Sequence, residues 1–148
     1  MSTIKEATIN NLEELSILFD LYRQFYRQPS NVSGAREFLN ERIKNKDSII
    51  YISINEDGTL LGFVQLYPIF TSVGMKRCWL LNDLFVKEEE RKKGIARKLI
   101  DRCKKLAEDT NATGLMLETG KNNLEGNVLY PTEGFTLIDE SNFYFWKK

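Results

Sequence analysis

The residues whose types and spacing could do chemistry lie in the stretch RKKGIARKL, residues 91–99. Three cations and one glycine precede a segment with the apolar spacing of an amphipathic helix. A helix N-terminus leaves backbone N–H groups unpaired and carries a partial positive charge, so a loop that curls there can hold an anion. Gly94 permits such a curl. A solvated charged loop before a helix is the simpler alternative.

Two familiar phosphate motifs are excluded for this stretch. It has no Gly-Lys-Ser/Thr sequence, and its single glycine does not make a dinucleotide fingerprint. Any diphosphate site here would therefore rely on loop amides more than on a standard motif.

The composition limits the remaining chemistry. The chain has no histidine, which removes Ser-His and Cys-His catalysis and histidine-ligated metals. Its two cysteines, Cys78 and Cys103, are too few for a disulfide framework or an all-cysteine zinc site, so we expect no metal. Lys plus Arg and Asp plus Glu number 21 each. This balance argues against a nucleic-acid partner.

Length and hydropathy predict one cytoplasmic domain. The chain has 148 residues, the size of a single domain spanning 1–148. The N-terminus lacks the apolar core of a signal peptide, and no apolar run reaches membrane-spanning length. We therefore expect no membrane partner.

Hydrophobic periodicity predicts the element order β-α-α-β-β-β-α-β-α-β-β. A box of Asn10 with Glu13 is expected to cap the first helix. The predicted helices cover about 10–28, 35–44, 95–108 and 123–129, and the predicted strands cover 3–9, 48–54, 60–70, 77–86, 114–119, 135–139 and 142–148.

The connection between two of these strands fixes the fold class. Strands 77–86 and 114–119 are joined through the long helix, so they should be parallel. Their neighbours form antiparallel hairpins. The fold class is α/β (α+β): a mixed, mostly antiparallel sheet with a central parallel βαβ pair and helices on both faces.

Two motifs in this framework resemble those of one family. Residues 91–96, RKKGIA, fit the pattern Q/R-x-x-G-x-G/A and follow a buried strand that ends LNDLFV. Residues 118–135 then carry an Asn, a small residue three positions on, Leu-Tyr, and Gly-Phe. With the order of elements, this resembles the GNAT superfamily of N-acetyltransferases. The matching residues of the second motif are Asn123, Gly126, Leu129, Tyr130, Gly134 and Phe135.

The resemblance implies a GNAT-like fold and acetyl-CoA as co-substrate. Asn123 would bind the cofactor arm, although it could instead be a helix N-cap, as could Asn122 in a box with Glu125. The central strand would lend backbone groups to the pantetheine arm, and the loop amides would hold the pyrophosphate. These residues are Leu84, Phe85 and Val86 for the arm, and Arg91, Lys92, Lys93, Gly94, Ile95 and Ala96 for the pyrophosphate.

The resemblance also gives Tyr130 a role, namely donation of a proton to the leaving thiolate as a general acid. Pro131 departs from the family pattern. Because a residue before proline is pushed away from helical geometry, the helix is expected to end at Leu129 and the hydroxyl to be re-aimed.

The attacking amine needs a base, since an alkylamine has a pKa of about 10. Without histidine the candidates are Asp83, Glu118 or a water relay. Asp83 is the preferred one, and either carboxylate could instead be a structural hydrogen-bond partner.

The implied function is transfer of an acetyl group from acetyl-CoA to a primary amine by direct attack in a ternary complex. The acceptor would be a small molecule of polyamine or amino-acid type, or a protein lysine. A catalytically weak acyl-CoA sensor of the same fold is the alternative, and a phosphate-binding scaffold is a third. A homodimer is compatible with the resemblance.

Overall fold

A mixed β-sheet organises the larger part of the chain. A computed structural model describes all 148 residues, which divide into two units, Met1–Leu117 and Glu118–Lys148. The second unit contains one helix, α4 (Leu124–Thr132). The first unit contains β1 (Thr3–Glu6), α1 (Leu12–Phe25), α2 (Val32–Asn45), β2 (Ile49–Ile54), β3 (Leu60–Thr71), β4 (Lys76–Val86), α3 (Ile95–Asp109) and β5 (Leu115–Met116).

The sheet has the order β1-β2-β3-β4-β5. The pairs β1/β2, β2/β3 and β3/β4 are antiparallel. The pair β4/β5 is parallel, and its strands are joined through α3. The predicted mixed, mostly antiparallel sheet with one βαβ crossover is thus confirmed. The crossover pair lies at one end of the sheet, because no strand follows β5.

Side chains of β2 show that helices cover both faces of the sheet. Ile50 and Ile52 belong to the core cluster that α1 and α2 build. Tyr51 lies between them in sequence and therefore faces the other side. There the Arg102 guanidinium of α3 lies 4.3 Å from the Tyr51 ring centroid. Each fully buried aliphatic or aromatic side chain contributes about 1.5–3 kcal/mol to these two layers.

The start of α1 differs from the expected capping box of Asn10 with Glu13. The box is formed two residues earlier, by Thr8 and Asn11 around a short 3-10 turn. The Thr8 hydroxyl accepts from the Asn10 N–H at 3.3 Å, and the Thr8 N–H donates to Asn11 Oδ1 at 3.0 Å. Threonine is on average a weaker N-cap than asparagine, so the position of Thr8 decides the outcome.

A buried carboxylate holds the connection between α1 and α2. Asp20 is only 3% exposed and accepts from the Asn31 N–H at 2.6 Å, the Ser30 hydroxyl at 2.7 Å and the Gln24 amide at 2.8 Å. Asn31 in turn caps α2 by accepting from the Gly34 N–H at 2.9 Å. As a result α1 ends before its predicted end and α2 begins before its predicted start.

The C-terminal part departs most from the expectations. The predicted strand 114–119 is limited to Leu115–Met116, and the strands predicted over 135–139 and 142–148 are not formed. A strand is stable only when its backbone groups pair with a neighbour. Within this chain no strand pairs with either segment, so their apolar pattern does not become regular structure.

Both cysteines are unpaired. Burial raises the pKa of the Cys103 thiol to about 12, which leaves it protonated and unreactive at neutral pH. No group of three or more His, Cys, Asp or Glu side chains is arranged to hold a metal ion. No helix combines the length and the apolar character needed to cross a bilayer.

We expect Asp20→Ala to lower the free energy of unfolding by about 2 kcal/mol, because it leaves the Asn31 N–H and the Ser30 hydroxyl without the acceptor that orders the connection between α1 and α2. Urea unfolding at pH 7 measures this. Asp101→Ala, which removes an exposed carboxylate on α3, is the matched control and should cost less than about 1 kcal/mol. Equal effects of the two substitutions would contradict a structural role for Asp20.

The effect of Asp20→Ala on stability should also depend on pH. Burial raises the pKa of Asp20, but the hydrogen bonds from Asn31, Ser30 and Gln24 and the charge of Arg23 together lower it below its ordinary value of 3.8. A lowered folded-state pKa gives stability that is present above pH 3.8 and is lost as pH falls through the folded pKa. The difference between wild type and Asp20→Ala should therefore shrink below pH 3.8.

Candidate active site

The loop before α3 has the conformation expected of an anion cradle, the name used below for residues 91–96. Gly94 is the N-cap of α3 with φ +79°, and no side chain caps this helix end. Lys92 also has a left-handed backbone, with φ +62°. The first intrahelical bond runs from the Lys98 N–H to the Gly94 carbonyl at 3.2 Å. The amides of the first turn therefore have no partner within the helix.

Two cationic side chains of the cradle region are engaged by the protein itself. Arg91 Nε donates to the Val86 carbonyl at 3.1 Å, and the guanidinium lies 5.6 Å from the ring centroids of both Phe25 and Phe85. Lys93 pairs with a glutamate one turn earlier at 3.0 Å. Because these two side chains have partners, the backbone amides and the exposed Lys92 side chain are the groups of the cradle left for an anion.

The strand that leads into the cradle has an unpaired side. The parallel ladder between β4 and β5 ends at the pair Leu80↔Met116, whereas the ladder between β4 and β3 continues to Val86. The backbone of residues 81–86 that faces away from β3 is called the open edge of β4 below. It contains Leu84, Phe85 and Val86, and its N–H and C=O groups suit an extended ligand that itself carries amides.

A cavity of about 320 Å³ lies beside these groups, within the range of small-molecule sites. Aromatic and apolar side chains from α1 and β4 form part of its wall, and charged side chains of the following loop form the rest. Its lining residues are Leu21, Phe25, Phe85, Lys87, Glu88, Glu89 and Arg91.

Asp83 is a buried carboxylate on the α1 side of the sheet. It is 5% exposed and accepts from the Gln65 amide at 2.7 Å, from the Asn82 amide at 3.1 Å and from the Tyr22 hydroxyl. Burial raises the pKa of Asp83, and the three hydrogen bonds offset only part of this rise. A raised carboxyl pKa is the property that brings an aspartate closer to the working range of a general base.

The sequence-based predictions missed the groups around Asp83. The Ser48 hydroxyl donates to Gln65 at 2.9 Å, which extends the network through β3 to the residue before β2. Burial and then the charge of Asp83 raise the pKa of both Tyr26 and Tyr67, that of Tyr67 to about 12. The signal that could have found this cluster is Gln65, a polar residue in an otherwise apolar run.

Glu118 does not end a strand as predicted. The ordered part of β5 stops at Met116, and Glu118 is exposed. The first unit thus holds Asp83, the open edge of β4 and the anion cradle, while Asn123 and Tyr130 belong to the second unit.

Asn123 is the N-cap of α4. Its Oδ1 accepts from the Gly126 N–H at 3.1 Å and its Nδ2 donates to the Thr119 hydroxyl at 2.9 Å. A Cβ at position 126 would lie 2.6 Å from Asn123 Nδ2, so the Asn123 side chain in its capping position would have to shift if residue 126 were not glycine. The alternative box of Asn122 with Glu125 does not supply this cap.

Tyr130 lies within α4, and the expectation that Pro131 ends the helix at Leu129 is wrong. The helix continues through Pro131 to Thr132. Proline near a helix end removes one hydrogen bond but does not prevent closure of the last turn. Here the turn is closed by the Glu133 N–H, which bonds to the Leu129 carbonyl at 3.0 Å.

The end of α4 also fixes the Tyr130 ring. Gly134 has φ +91°, and its N–H donates to the Pro131 carbonyl at 3.1 Å while the Phe135 N–H donates to the Tyr130 carbonyl at 3.0 Å. These two bonds form a Schellman motif, which commonly brings an apolar contact between its outer residues. The Phe135 ring accordingly lies edge-on at 5.7 Å from the Tyr130 ring centroid.

Comparison with known proteins identifies the family of the chain. The model of the acetyltransferase (GNAT) family matches residues 15–135. The chain belongs to this family. It is 41% identical to an uncharacterized N-acetyltransferase, YhfO of Bacillus subtilis, over 89% of this chain and 88% of the relative. A probable acetyltransferase of Haemophilus influenzae is 33% identical over 90% of each chain.

A solved structure supports the same family fold. The crystal structure of a probable acetyltransferase superposes with a TM-score of 0.94 at 36% identity, covering 99% of this chain and 97% of that one. The resemblance on which the sequence-based expectations rested is thus confirmed, and the protein is a GNAT-type acetyltransferase.

The raised pKa of Asp83 makes a prediction about stability. A carboxyl whose folded-state pKa is raised destabilises the fold increasingly as pH rises from the ordinary pKa to the raised one, and by a constant amount above it, because the unfolded chain ionises more readily than the folded one. We therefore expect Asp83→Asn to raise the thermal unfolding midpoint at pH 7, with a gain that shrinks as pH falls toward the ordinary value of 3.8. Differential scanning calorimetry at several pH values measures this.

Asp101→Asn is the control for that prediction, since the Asp101 side chain is 68% exposed and should move the midpoint little at any pH. A lower midpoint for Asp83→Asn at pH 7 would contradict the prediction. It would mean that the charged form is held by its hydrogen bonds and that the network is purely structural.

Proposed function

We propose that this GNAT protein transfers an acetyl group from acetyl-CoA to a primary amine by direct attack in a ternary complex. The observation that carries the proposal is the open edge of β4, which leads directly into an uncapped and curled helix N-terminus. An extended chain of amides that ends in a diphosphate matches those two features in order. We further propose that residues 1–148 act as one domain in the cytoplasm, consistent with two unpaired cysteines.

Each part of the donor would have its own backbone partner. The amides of Arg91 to Ala96 would hold the diphosphate, where the helix dipole adds a favourable partial charge. The backbone of Leu84, Phe85 and Val86 would pair with the amide groups of the pantetheine arm. Asn123 would add a hydrogen bond through its remaining capacity, since its cap bond uses one lone pair of its side-chain oxygen.

The reaction would use Asp83 and Tyr130 as proton carriers. Asp83 takes a proton from the amine, whose nitrogen attacks the thioester carbonyl carbon. The C–N bond forms, the C–S bond breaks, and the Tyr130 hydroxyl donates its proton to the leaving thiolate. The nitrogen then loses its second proton to solvent, Asp83 releases the proton it took, and solvent reprotonates Tyr130, so that an amide and a free thiol are the products.

The surroundings of Asp83 favour a cationic acceptor. One buried carboxylate and the phenols of Tyr22, Tyr26 and Tyr67 lie close together. A negative charge among aromatic rings attracts an alkylammonium through both Coulomb and cation–π terms. Small amines of polyamine or amino-acid type and protein lysine side chains all present this group. The sensor alternative rested on Pro131, which does not interrupt α4.

We expect Gly94→Val to abolish stabilisation by acetyl-CoA. A Cβ at position 94 meets no atom within 4 Å, so the effect comes from φ +79°, which a β-branched residue does not adopt without strain. Wild type at a hundredfold excess over Kd should gain about 2.7 kcal/mol. Thermal unfolding with and without acetyl-CoA measures this.

Lys92→Gly is the matched control for the cradle, because it removes a charge while suiting the left-handed backbone at φ +62°. It should weaken binding modestly, and the loss should fade as salt is raised. A greater loss in Lys92→Gly than in Gly94→Val would overturn the backbone cradle.

We expect Tyr130→Phe to reduce turnover by about a hundredfold or more while the affinity for acetyl-CoA stays unchanged, because only the general acid is removed. Thiol release with a panel of diamines, amino acids and lysine peptides measures turnover and identifies the acceptor. Tyr144→Phe, which removes an exposed hydroxyl from the same unit, should behave as wild type. Undiminished turnover in Tyr130→Phe would refute this role.

A further inference from the structure

We propose that Gln65, oriented by the hydroxyl of Ser48, is a positioning residue for Asp83 in the reaction proposed above, where Asp83 serves as the base. Gln65 fixes the direction of the carboxylate and supplies it with a hydrogen-bond donor. Gln65 acts only through Asp83, and Ser48 acts only through Gln65. The three side chains form two successive hydrogen bonds that begin before β2, cross β3 and end on β4.

The register of the sheet brings Gln65 and Asp83 together. They are partners in the antiparallel ladder between β3 and β4, and such partners lie on the same face of the sheet. The ladder shifts at this point, because Leu66 pairs with Leu81 but the next pair is Gln65 with Asp83. Asn82 is thus the extra residue of a β-bulge. Without the bulge, Asn82 would lie opposite Gln65, so the bulge selects Asp83 as its partner.

The contact between the two side chains is shielded from solvent. Gln65 is 0% exposed and Asp83 is 5% exposed. The Gln65 Nε2 group donates to Asp83 Oδ2 at 2.7 Å, and a donor to a carboxylate favours its ionised form. Burial raises the pKa of Asp83, and the bond from Gln65 is the largest of the influences that lower it. Gln65 therefore does most to keep the buried carboxylate ready to accept a proton.

Ser48 determines which end of the Gln65 amide faces Asp83. A primary amide has a donor end and an acceptor end, and a half-turn about its last bond exchanges them. The Ser48 hydroxyl donates to Gln65 Oε1 at 2.9 Å, so the amide oxygen is held there and the NH₂ group faces the carboxylate. The exchanged orientation would place the amide oxygen against Asp83, which is favourable only when Asp83 is protonated.

The hydrogen bonds to Asp83 leave it one place for a proton. A carboxylate has about four lone-pair sites. Donors from Gln65, Asn82 and Tyr22 fill three of these sites. The remaining site is available to the proton of the acceptor amine, and the three bonds keep the carboxylate from rotating away from it.

A purely structural role for Gln65 would have different consequences. Ile50, its partner on β2, and Phe63, two residues earlier on β3, both belong to the core cluster. An apolar side chain of similar length would suit these neighbours without the cost of burying an amide. If Gln65 served the fold alone, Gln65→Met would change stability and leave the pH dependence of turnover as it is. A positioning role changes that pH dependence.

The pH dependence of kcat/KM for thiol release tests the proposal. Ionisation of the acceptor amine is common to all variants, so the ratio of variant to wild type at each pH isolates the base. Between about pH 5 and pH 9 we expect this ratio for Gln65→Met to rise about tenfold, because loss of a hydrogen bond to a charged group raises the pKa of Asp83 further. Stabilisation by acetyl-CoA should stay at the wild-type value.

Three further variants serve as comparisons. Ser48→Ala should give a smaller rise in the same direction, whereas Ser48→Thr, which keeps the hydroxyl, should follow wild type. Gln24→Met is the matched control, because Gln24 donates to Asp20 at 2.8 Å in a cluster that does not contain Asp83. Its ratio should be flat. A flat ratio for Gln65→Met, or equal profiles for Ser48→Ala and Ser48→Thr, would overturn the proposal.

Asp83→Asn in the same assay separates this role from the proposed function. Wild-type turnover in Asp83→Asn would refute both the base and its positioning residue. Reduced turnover in Asp83→Asn together with a wild-type profile for Gln65→Met would leave the base in place and refute the positioning role alone. Thermal unfolding checks that each variant is folded. Ser48 lies before β2 and outside the core cluster, so Ser48→Ala carries the test if Gln65→Met does not fold.

Discussion

The divergence of β5 from β4 is the constraint on which the rest of this structure depends. Two ladder pairs hold the strands together, and beyond them six residues of β4 keep a neighbour on one side only. In the interior of a sheet, the backbone N–H and C=O groups are normally hydrogen-bonded to the neighbouring strands. Here a row of these groups has no partner strand. The chain continues from that row directly into the N-terminus of α3, whose first amides have no partner within the helix either. Backbone groups thus form both the extended part of the candidate donor site and its partial positive charge.

A second polar group lies where a core would usually be apolar. Asp83 is held by hydrogen bonds from two neighbouring strand residues and from α1, so its position is fixed even though burial disfavours its charge. Buried carboxylates with a raised pKa are common at functional sites, which supports the role proposed for Asp83. The Arg91 stack on two aromatic rings has a related effect, because it ties the loop after β4 to α1.

Sequence periodicity was sufficient for the elements whose stability is local or comes from a strong apolar stripe. The helix from Ile95 and the hairpin of β2 and β3 lie close to their predicted bounds, and the spacing around Gly94 located the cradle. What could not be predicted depends on partners distant in sequence. The reach of Asp20 across to Asn31 set two helix ends, and the tyrosines around Asp83 come from separate elements.

The strands predicted at the C-terminus did not form for the same reason, the lack of a partner. Residues 142–148 have the composition of a strand, but composition does not provide the neighbour that a strand needs. Pro131 was misjudged for a different reason. The rule about residues before proline describes an average preference, whereas Gly134 and Phe135 close this helix end with specific bonds that override it.

In the reaction proposed for Tyr130, the closure of α4 lowers the entropic cost of each turnover. A tyrosine free to rotate must be ordered every time its hydroxyl is needed, and that loss of entropy reduces the rate. The Phe135 ring lies edge-on against Tyr130, and the bond from its own N–H returns to the Tyr130 carbonyl. The side chain is therefore ordered once, when the helix folds. Gly134 and Phe135, which follow α4, thus preorganise the phenol of Tyr130.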